Sequence, residues 1–237
     1  MRGATLGSLS NLEYLASEPS PLGLVCLRQR APRSAPGTLV TEITLDHQFL
    51  MNNLNTASER ALSSVALEMH AGEGLRVLVG GLGLGHTAQA VLASPRVAAL
   101  ETVELLEPVI RWYRDGLLPL AAELAADPRL AVTHGDVYAR LASRDAELWD
   151  LVLVDVDHSP DEPLGGESEA FYGEAGLALA RTHLAPGGVL GVWSHAESPR
   201  FAAALARVFG EVRVEPVSFH NPLFDQTETN WLFFARG

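Results

Sequence analysis

The sequence predicts an α/β protein: a mostly parallel sheet with helices on both faces, preceded by a small β-hairpin unit. Three observations carry that expectation. From Leu75 onward, short apolar runs alternate with longer amphipathic stretches, the pattern of βαβ units whose crossover helices cover a parallel sheet. A cluster of glycines, Gly80, Gly81, Gly83 and Gly85, follows the first of those runs, where an open parallel sheet makes its first βα turn. The opening segment has a different texture, with strand-like runs separated by the turn-rich "APRSAPG".

In chain order, "LGLVCLRQR" and "TLVTEITLDHQFLM" read as an antiparallel hairpin unit over residues 1–55, and residues 56–237 as a nucleoside-binding domain. "NTASERALSSVALEM" reads as a helix, with Thr56 and Glu59 in capping-box spacing and Ala61, Leu62, Val65, Ala66 and Met69 on one face. The strand and helix pairs are then "LRVLVGG" with "HTAQAVLAS", "ETVELL" with "PVIRWYRDGLLPLAAELA", and "RLAVTHG" with "VYARLAS". "WDLVLVDV" with "SEAFYGEAGLALARTHL" and "GGVLGVWS" with "SPRFAAALARVF" continue the series. "EVRVEPVSF" and "TNWLFFAR" close it with no helix between them, so the last strand runs antiparallel. Phe171 and Tyr172 are expected to pack their helix onto the sheet.

The chain of 237 residues is 47% hydrophobic, enough for one sizeable core with a small appendage. Its formal charge of −12 argues against nucleic acid as a partner, because phosphate binding needs clustered cations. It suits a cationic substrate. The lone Cys26 excludes a disulfide framework or a cysteine-based zinc site within the chain and reads as a buried structural thiol. Neither a signal peptide nor an apolar run of membrane-spanning length is evident, so a cytoplasmic protein with no membrane partner is expected.

Sites are expected at the carboxyl ends of the strands. Gly81, Gly83 and Gly85 form a G-x-G-x-G turn with His86 where a dinucleotide fold has its third glycine, which counts against NAD. Glu104 falls about 20 residues beyond the turn, where a carboxylate accepts from both ribose hydroxyls; Glu107 is the alternative. Asp136 ends the third strand, beside Val137, and either accepts from an adenine amine or caps the following helix. The fourth strand ends in "VDVDHSP", with Asp155, Asp157 and His158 as candidate catalytic groups.

The segments "VLVGGLGLG", "VELLEPVI", "DPRLAVTHGD", "WDLVLVD" and "FYGEAGLALARTHLAPGGVL", with the hairpin unit before them, resemble the spermidine synthase family of aminopropyltransferases, in particular its short bacterial members. The resemblance runs from about Leu39 to Arg236. It implies a Rossmann-like class I methyltransferase fold with a seven-stranded sheet, a place in polyamine biosynthesis, and S-adenosylmethionine or its decarboxylated form as donor, without a metal. It further implies Glu104 at the ribose, Asp136 at the adenine amine and Asp155 at the reacting centre. The family's donor-binding aspartate in "GGGDG" is Leu84 here, its second acceptor-side aspartate aligns with His158, and "MNNLNTASERALSS" replaces its tyrosine, histidine and glutamate. As in spermidine synthases, Val79 stands where methyltransferases of this fold carry an acid.

These readings combine into an expected transfer of an aminopropyl or other alkyl group to a small nucleophile such as an amine. S-adenosylmethionine-dependent methyl transfer is the alternative, and a non-catalytic nucleoside-binding partner subunit a further one. Asn52, Asn53 and Asn55 are expected on the acceptor side or in turns, and "FHNPLFDQTETN" as a hairpin loop or lid. His195 ends the fifth strand of the parallel series. A homodimer through the hairpin unit is expected by analogy with the family.

Overall fold

The structure, a computed structural model, describes residues 12–32, 34, 37–156, 159–162 and 167–237. An antiparallel sheet in the order β1-β2-β3-β4 leads the chain, from β1 (Leu12–Ser20), β2 (Gly23–Arg30), β3 (Val40–Leu45) and β4 (Gln48–Asn52). β1 was not foreseen. It is an edge strand with mostly exposed or half-buried residues, so its polar positions interrupt the apolar run by which strands are recognised. "TLVTEITLDHQFLM" divides into two strands at Asp46 and His47, whose φ values of 46° and 67° are those of a tight two-residue hairpin turn.

The main sheet has the order β10-β11-β9-β8-β5-β6-β7. Its strands are β5 (Leu75–Gly80), β6 (Val97–Glu104), β7 (Leu130–His134), β8 (Trp149–Val154), β9 (Leu184–Ser194), β10 (Glu211–Asn221) and β11 (Gln226–Arg236). β5 to β9 are mutually parallel, and β11 runs antiparallel between β9 and β10. The order reverses at β5, which has β6 on one side and β8 on the other. That reversal opens a crevice at the carboxyl ends of these strands.

The helices are α1 (Ala57–Met69), α2 (His86–Leu92), α3 (Glu107–Arg114), α4 (Ala121–Ala125), α5 (Val137–Ala142), α6 (Glu167–Phe171), α7 (Glu174–Thr182) and α8 (Pro199–Val208). Two stretches expected as single helices are broken. α3 stops before Gly116, whose φ of 75° turns the chain out of the right-handed helix, and Gly173 separates α6 from α7. The expected capping box at α1 does not form: Thr56 occupies the cap position without a side-chain bond, and Glu59 accepts instead from the Ser58 hydroxyl at 2.8 Å.

Alternation along the strands divides the core between the two faces of the sheet. Leu78, Val152 and Val154 pack with Phe171, Tyr172 and Phe201, while Val77, Leu151 and Leu153 pack with Leu62, Ala88 and Val91. A third cluster joins the β unit to the main domain, with Val25, Leu27 and Ile43 against Leu84, Val109 and Trp112. Glu18 reinforces it, accepting from the Trp112 indole at 2.6 Å and from the Arg111 guanidinium at 2.9 Å. At the opposite, amino ends of the strands, Arg96 donates to the carbonyls of Leu67 and Gly72, and Arg129 to those of Leu92, Ser94 and Val97. Among the described residues, no helix is long and apolar enough to cross a membrane.

Candidate active site

The glycine turn leaves β5 and enters α2. Gly81, Gly83 and Gly85 have φ values of 96°, 49° and 92°, in the left-handed region that a side chain disfavours. A Cβ on Gly81 would collide with the Asp155 carbonyl, and one on Gly83 with the Met51 side chain. The turn therefore lies close against both β8 and the β unit, and its backbone is accessible from the crevice.

Glu104 ends β6 and is buried beneath this turn. One carboxylate oxygen accepts from the N–H groups of Leu82 at 2.8 Å and Gly83 at 3.3 Å, and the other from Leu106 at 2.8 Å. Burial pushes its pKa up, and the amides of Leu106, Leu82 and Gly83 counter that shift by stabilising the anion. Glu107 is elsewhere: it opens α3, is largely exposed and pairs with Arg111 at 3.2 Å. Of the two acidic candidates, only Glu104 lines the crevice.

Asp136 caps α5, accepting from the Tyr138 N–H at 2.8 Å. It also lines the same cavity as Glu104, so its structural duty and its place at the site coexist. Val137 is buried beside it, packed so closely to β5 that a Cβ on Gly80 would lie 2.6 Å from it. The Tyr138 hydroxyl bonds that of Tyr172 at 2.7 Å, and burial raises Tyr172 to about 12, so this pair stays neutral. The cavity bounded by Gly81, Gly83, Glu104, Asp136 and Asp155 measures about 330 Å³, and Leu22, Ile43 and Met51 of the β unit close it on the far side. A space of this size with apolar walls and few polar groups suits a nucleoside.

Asp155 follows β8, its N–H donating to Gly80 at 2.8 Å. Its carboxylate accepts a hydrogen bond from Thr87 Oγ1, and the Thr87 carbonyl accepts from Ser63 at 3.2 Å. The carboxylate is thus tied through α2 to α1 and to the end of the glycine turn. Asp155 also lines a second cavity of about 270 Å³, which shares Leu50 and Met51 with the first. Asn52 and Asn55 line this second space, together with Glu59, Trp193, Glu228 and Asn230. Asn53 does not: its carboxamide accepts from the Thr41 N–H at 2.9 Å and holds the strand connection.

His195 stands at the rim, 3.6 Å from Glu162. Asp157 and His158 lie outside the described residues. Leu84, in place of the family's aspartate, is buried in the cluster joining the β unit to the sheet. The hairpin between β10 and β11, expected as a loop or lid, contributes Phe219, Asn221, Glu228 and Asn230 to the second cavity. Thr87, Glu59 and Glu228 are not individually marked by the sequence: Thr87 follows the glycine turn as an ordinary helix residue, Glu59 reads as part of a capping box, and Glu228 lies within the hairpin stretch.

A crevice at the switch point of a class I methyltransferase-like sheet, closed by an N-terminal antiparallel unit, defines the fold class of the chain. No family model matches it. It superimposes on a spermidine synthase in complex with the transition-state analogue AdoDATO with a TM-score of 0.73 at 18% identity, over 94% of this chain and 73% of that one. Spermidine synthase from Thermotoga maritima gives a TM-score of 0.71 at 16% identity, covering 94% and 72% of the two chains.

In sequence, the chain is 28% identical over 168 residues to the polyamine aminopropyltransferase of Prochlorococcus marinus, covering 68% of this chain and 56% of that protein. It is 30% identical over 125 residues to putrescine N-methyltransferase 2 of Nicotiana tabacum, covering 51% of this chain and 34% of that enzyme. The chain thus spans between a third and somewhat over half the length of these relatives. It shares the fold of the spermidine synthases, and part of its sequence is similar to a polyamine aminopropyltransferase and to putrescine N-methyltransferases.

Proposed function

We propose that the protein is an alkyl transferase that binds S-adenosylmethionine or its decarboxylated form and alkylates a small amine. The observation that carries this reading is the pair of contiguous cavities with Asp155 on both walls. One has the size and lining of a nucleoside site, and the other provides a separate approach to the same carboxylate. The similarity to enzymes named for polyamine aminopropyl transfer and putrescine N-methylation supports the same reaction class.

In this reading Glu104 holds the ribose and Asp136 the adenine edge, with Gly81, Gly83 and Gly85 allowing the donor to approach the backbone. Val137 packs against the adenine. The donor supplies a carbon activated by its sulfonium. Asp155 takes the proton from the acceptor ammonium, or orients the amine as it leaves, so that the nitrogen lone pair forms the new C–N bond. The C–S bond breaks with its electrons on sulfur, leaving a neutral thioether. Thr87 fixes the orientation of the Asp155 carboxylate by donating to it, and Asp157 and His158, which follow in sequence, are candidates to share proton transfer.

Aminopropyl transfer is the reading favoured by the structural neighbours, while Leu84 and the putrescine N-methyltransferase similarity favour methyl transfer. Incubating the protein with each donor and a pool of short amines, then measuring product mass, separates the two. Aminopropyl adducts from the decarboxylated donor support the first; methylated amines from S-adenosylmethionine support the second. Absence of either product with both donors bound contradicts an active transferase.

A further inference from the structure

On one face of the main sheet, α1, α2 and α4 leave a groove of about 730 Å³ between them. It shares no lining residue with the two cavities at the strand ends. α1 has two sides: Leu62, Ala66 and Met69 are buried toward the sheet, while Ala57, Ala61 and Ser64 line the groove at helical spacing. Ala90 and Ala93 line it from α2 and its end, above the buried Leu92 and Leu124. Short side chains let another helix approach closely, and alanine loses no rotamer freedom on burial.

Among the described residues, the charged groups lining the groove are Arg60 on α1, Glu123 on α4 and Asp127 shortly after α4. Asp127 is neutralised by Arg129 at 2.6 Å. The other two are not matched. Glu123 accepts from the Gln89 carboxamide at 2.9 Å, a neutral donor. Arg60 follows Glu59 and lies near enough to His86 to disfavour its protonation. Among the described residues, neither Arg60 nor Glu123 forms an ion pair. A groove with one unmatched cation and one unmatched anion on different helices is complementary to itself, because a two-fold axis brings each group to its opposite on the other copy. A partner surface of a single sign would satisfy one of them and repel the other.

We propose that this face is a contact between two copies of the chain, with α1 of each copy laid against the alanine-lined groove of the other and Arg60 of each facing Glu123 of the other. The contact lies away from the hairpin unit, and it leaves both strand-end cavities open because none of their residues lines the groove. It does not depend on the alkyl-transfer reading.

Sedimentation equilibrium on the full chain tests it. The wild type should dimerise with a Kd of about 10 µM or tighter. Arg60→Glu and Glu123→Arg should each weaken the dimer at least about tenfold, since the two-fold axis repeats every like-charge contact. The double variant Arg60→Glu/Glu123→Arg exchanges the signs without removing the match, and should return to within about threefold of wild type. Far-ultraviolet circular dichroism matching the wild type shows that each variant is folded. A monomer at every concentration up to about 100 µM overturns the assignment. So does a dimer that neither single reversal weakens, which would mean association through another face such as the hairpin unit. A double variant no stronger than the single ones overturns it as well.

Discussion

The two ends of the main sheet treat charge in opposite ways. At the amino ends of the strands, Arg96 and Arg129 donate to backbone carbonyls at the chain connections, and Arg129 also pairs with Asp127 at 2.6 Å. Cations there are matched within the chain, and they tie together the segments that lead into β5, β6 and β7. At the carboxyl ends, Glu104 is met by backbone amides, Glu59 by a hydroxyl, and Glu228 by carboxamides. At one end charge is paired within the chain, while at the other the carboxylates are met by neutral donors.

That contrast is most strongly broken at Asp155. Replacement by Asn should reduce turnover about 10²–10⁴-fold, the range of a positioned acid or base, while nucleoside affinity and melting temperature stay near wild type. Initial rates and calorimetry on the same preparation distinguish this from general damage. At the opposite end, Arg129→Met removes donors to Leu92, Ser94 and Val97. It should cost about 2–4 kcal/mol in urea denaturation, since several carbonyls lose a charged donor together, without changing nucleoside affinity by more than about twofold. A large loss of affinity in this variant contradicts the division between the two ends.

The smallest expected effect concerns Glu59. Burial raises its pKa in the folded protein above the unfolded value, so the folded state retains its proton over the interval between the two. This contribution to stability is present below the unfolded pKa and is lost as pH rises through the folded pKa. Glu59→Gln removes the penalty. With allowance for partial solvent screening, the variant should melt about 1–3 °C above wild type at alkaline pH and close to it in acid. A constant difference across the titration contradicts uncompensated charge at this position.

Much of the fold was legible because strand and helix periodicities alternate cleanly from Leu75 onward, and because the glycine turn falls where the first crossover must begin. β1 was not, since an exposed edge strand does not need the apolar alternation of a half-buried one. The breaks at Gly116 and Gly173 were missed because the apolar residues on either side continue a helical pattern that the backbone leaves. The spacing of Thr56 and Glu59 suggests a capping box, yet Glu59 lines the second cavity.

The strand-end candidates Glu104, Asp136 and Asp155 could be found one by one, and the fold brings them to a common cavity. Thr87 and Glu228 could not be assigned in that way. Their proximity to the site follows from the bond between the start of α2 and the carboxylate after β8 and from the insertion of β11 between β9 and β10, which no local signal specifies.

The central claim is that the crevice beneath the glycine turn is a nucleoside site organised by Glu104. Isothermal titration of the purified chain with S-adenosylmethionine, its decarboxylated form and the corresponding thioethers tests it most directly. At least one should bind with a Kd well below about 1 mM, and Glu104→Ala should weaken it at least about tenfold while the protein remains folded. No binding of any of these nucleosides below about 1 mM, or unchanged affinity in folded Glu104→Ala, would contradict the claim.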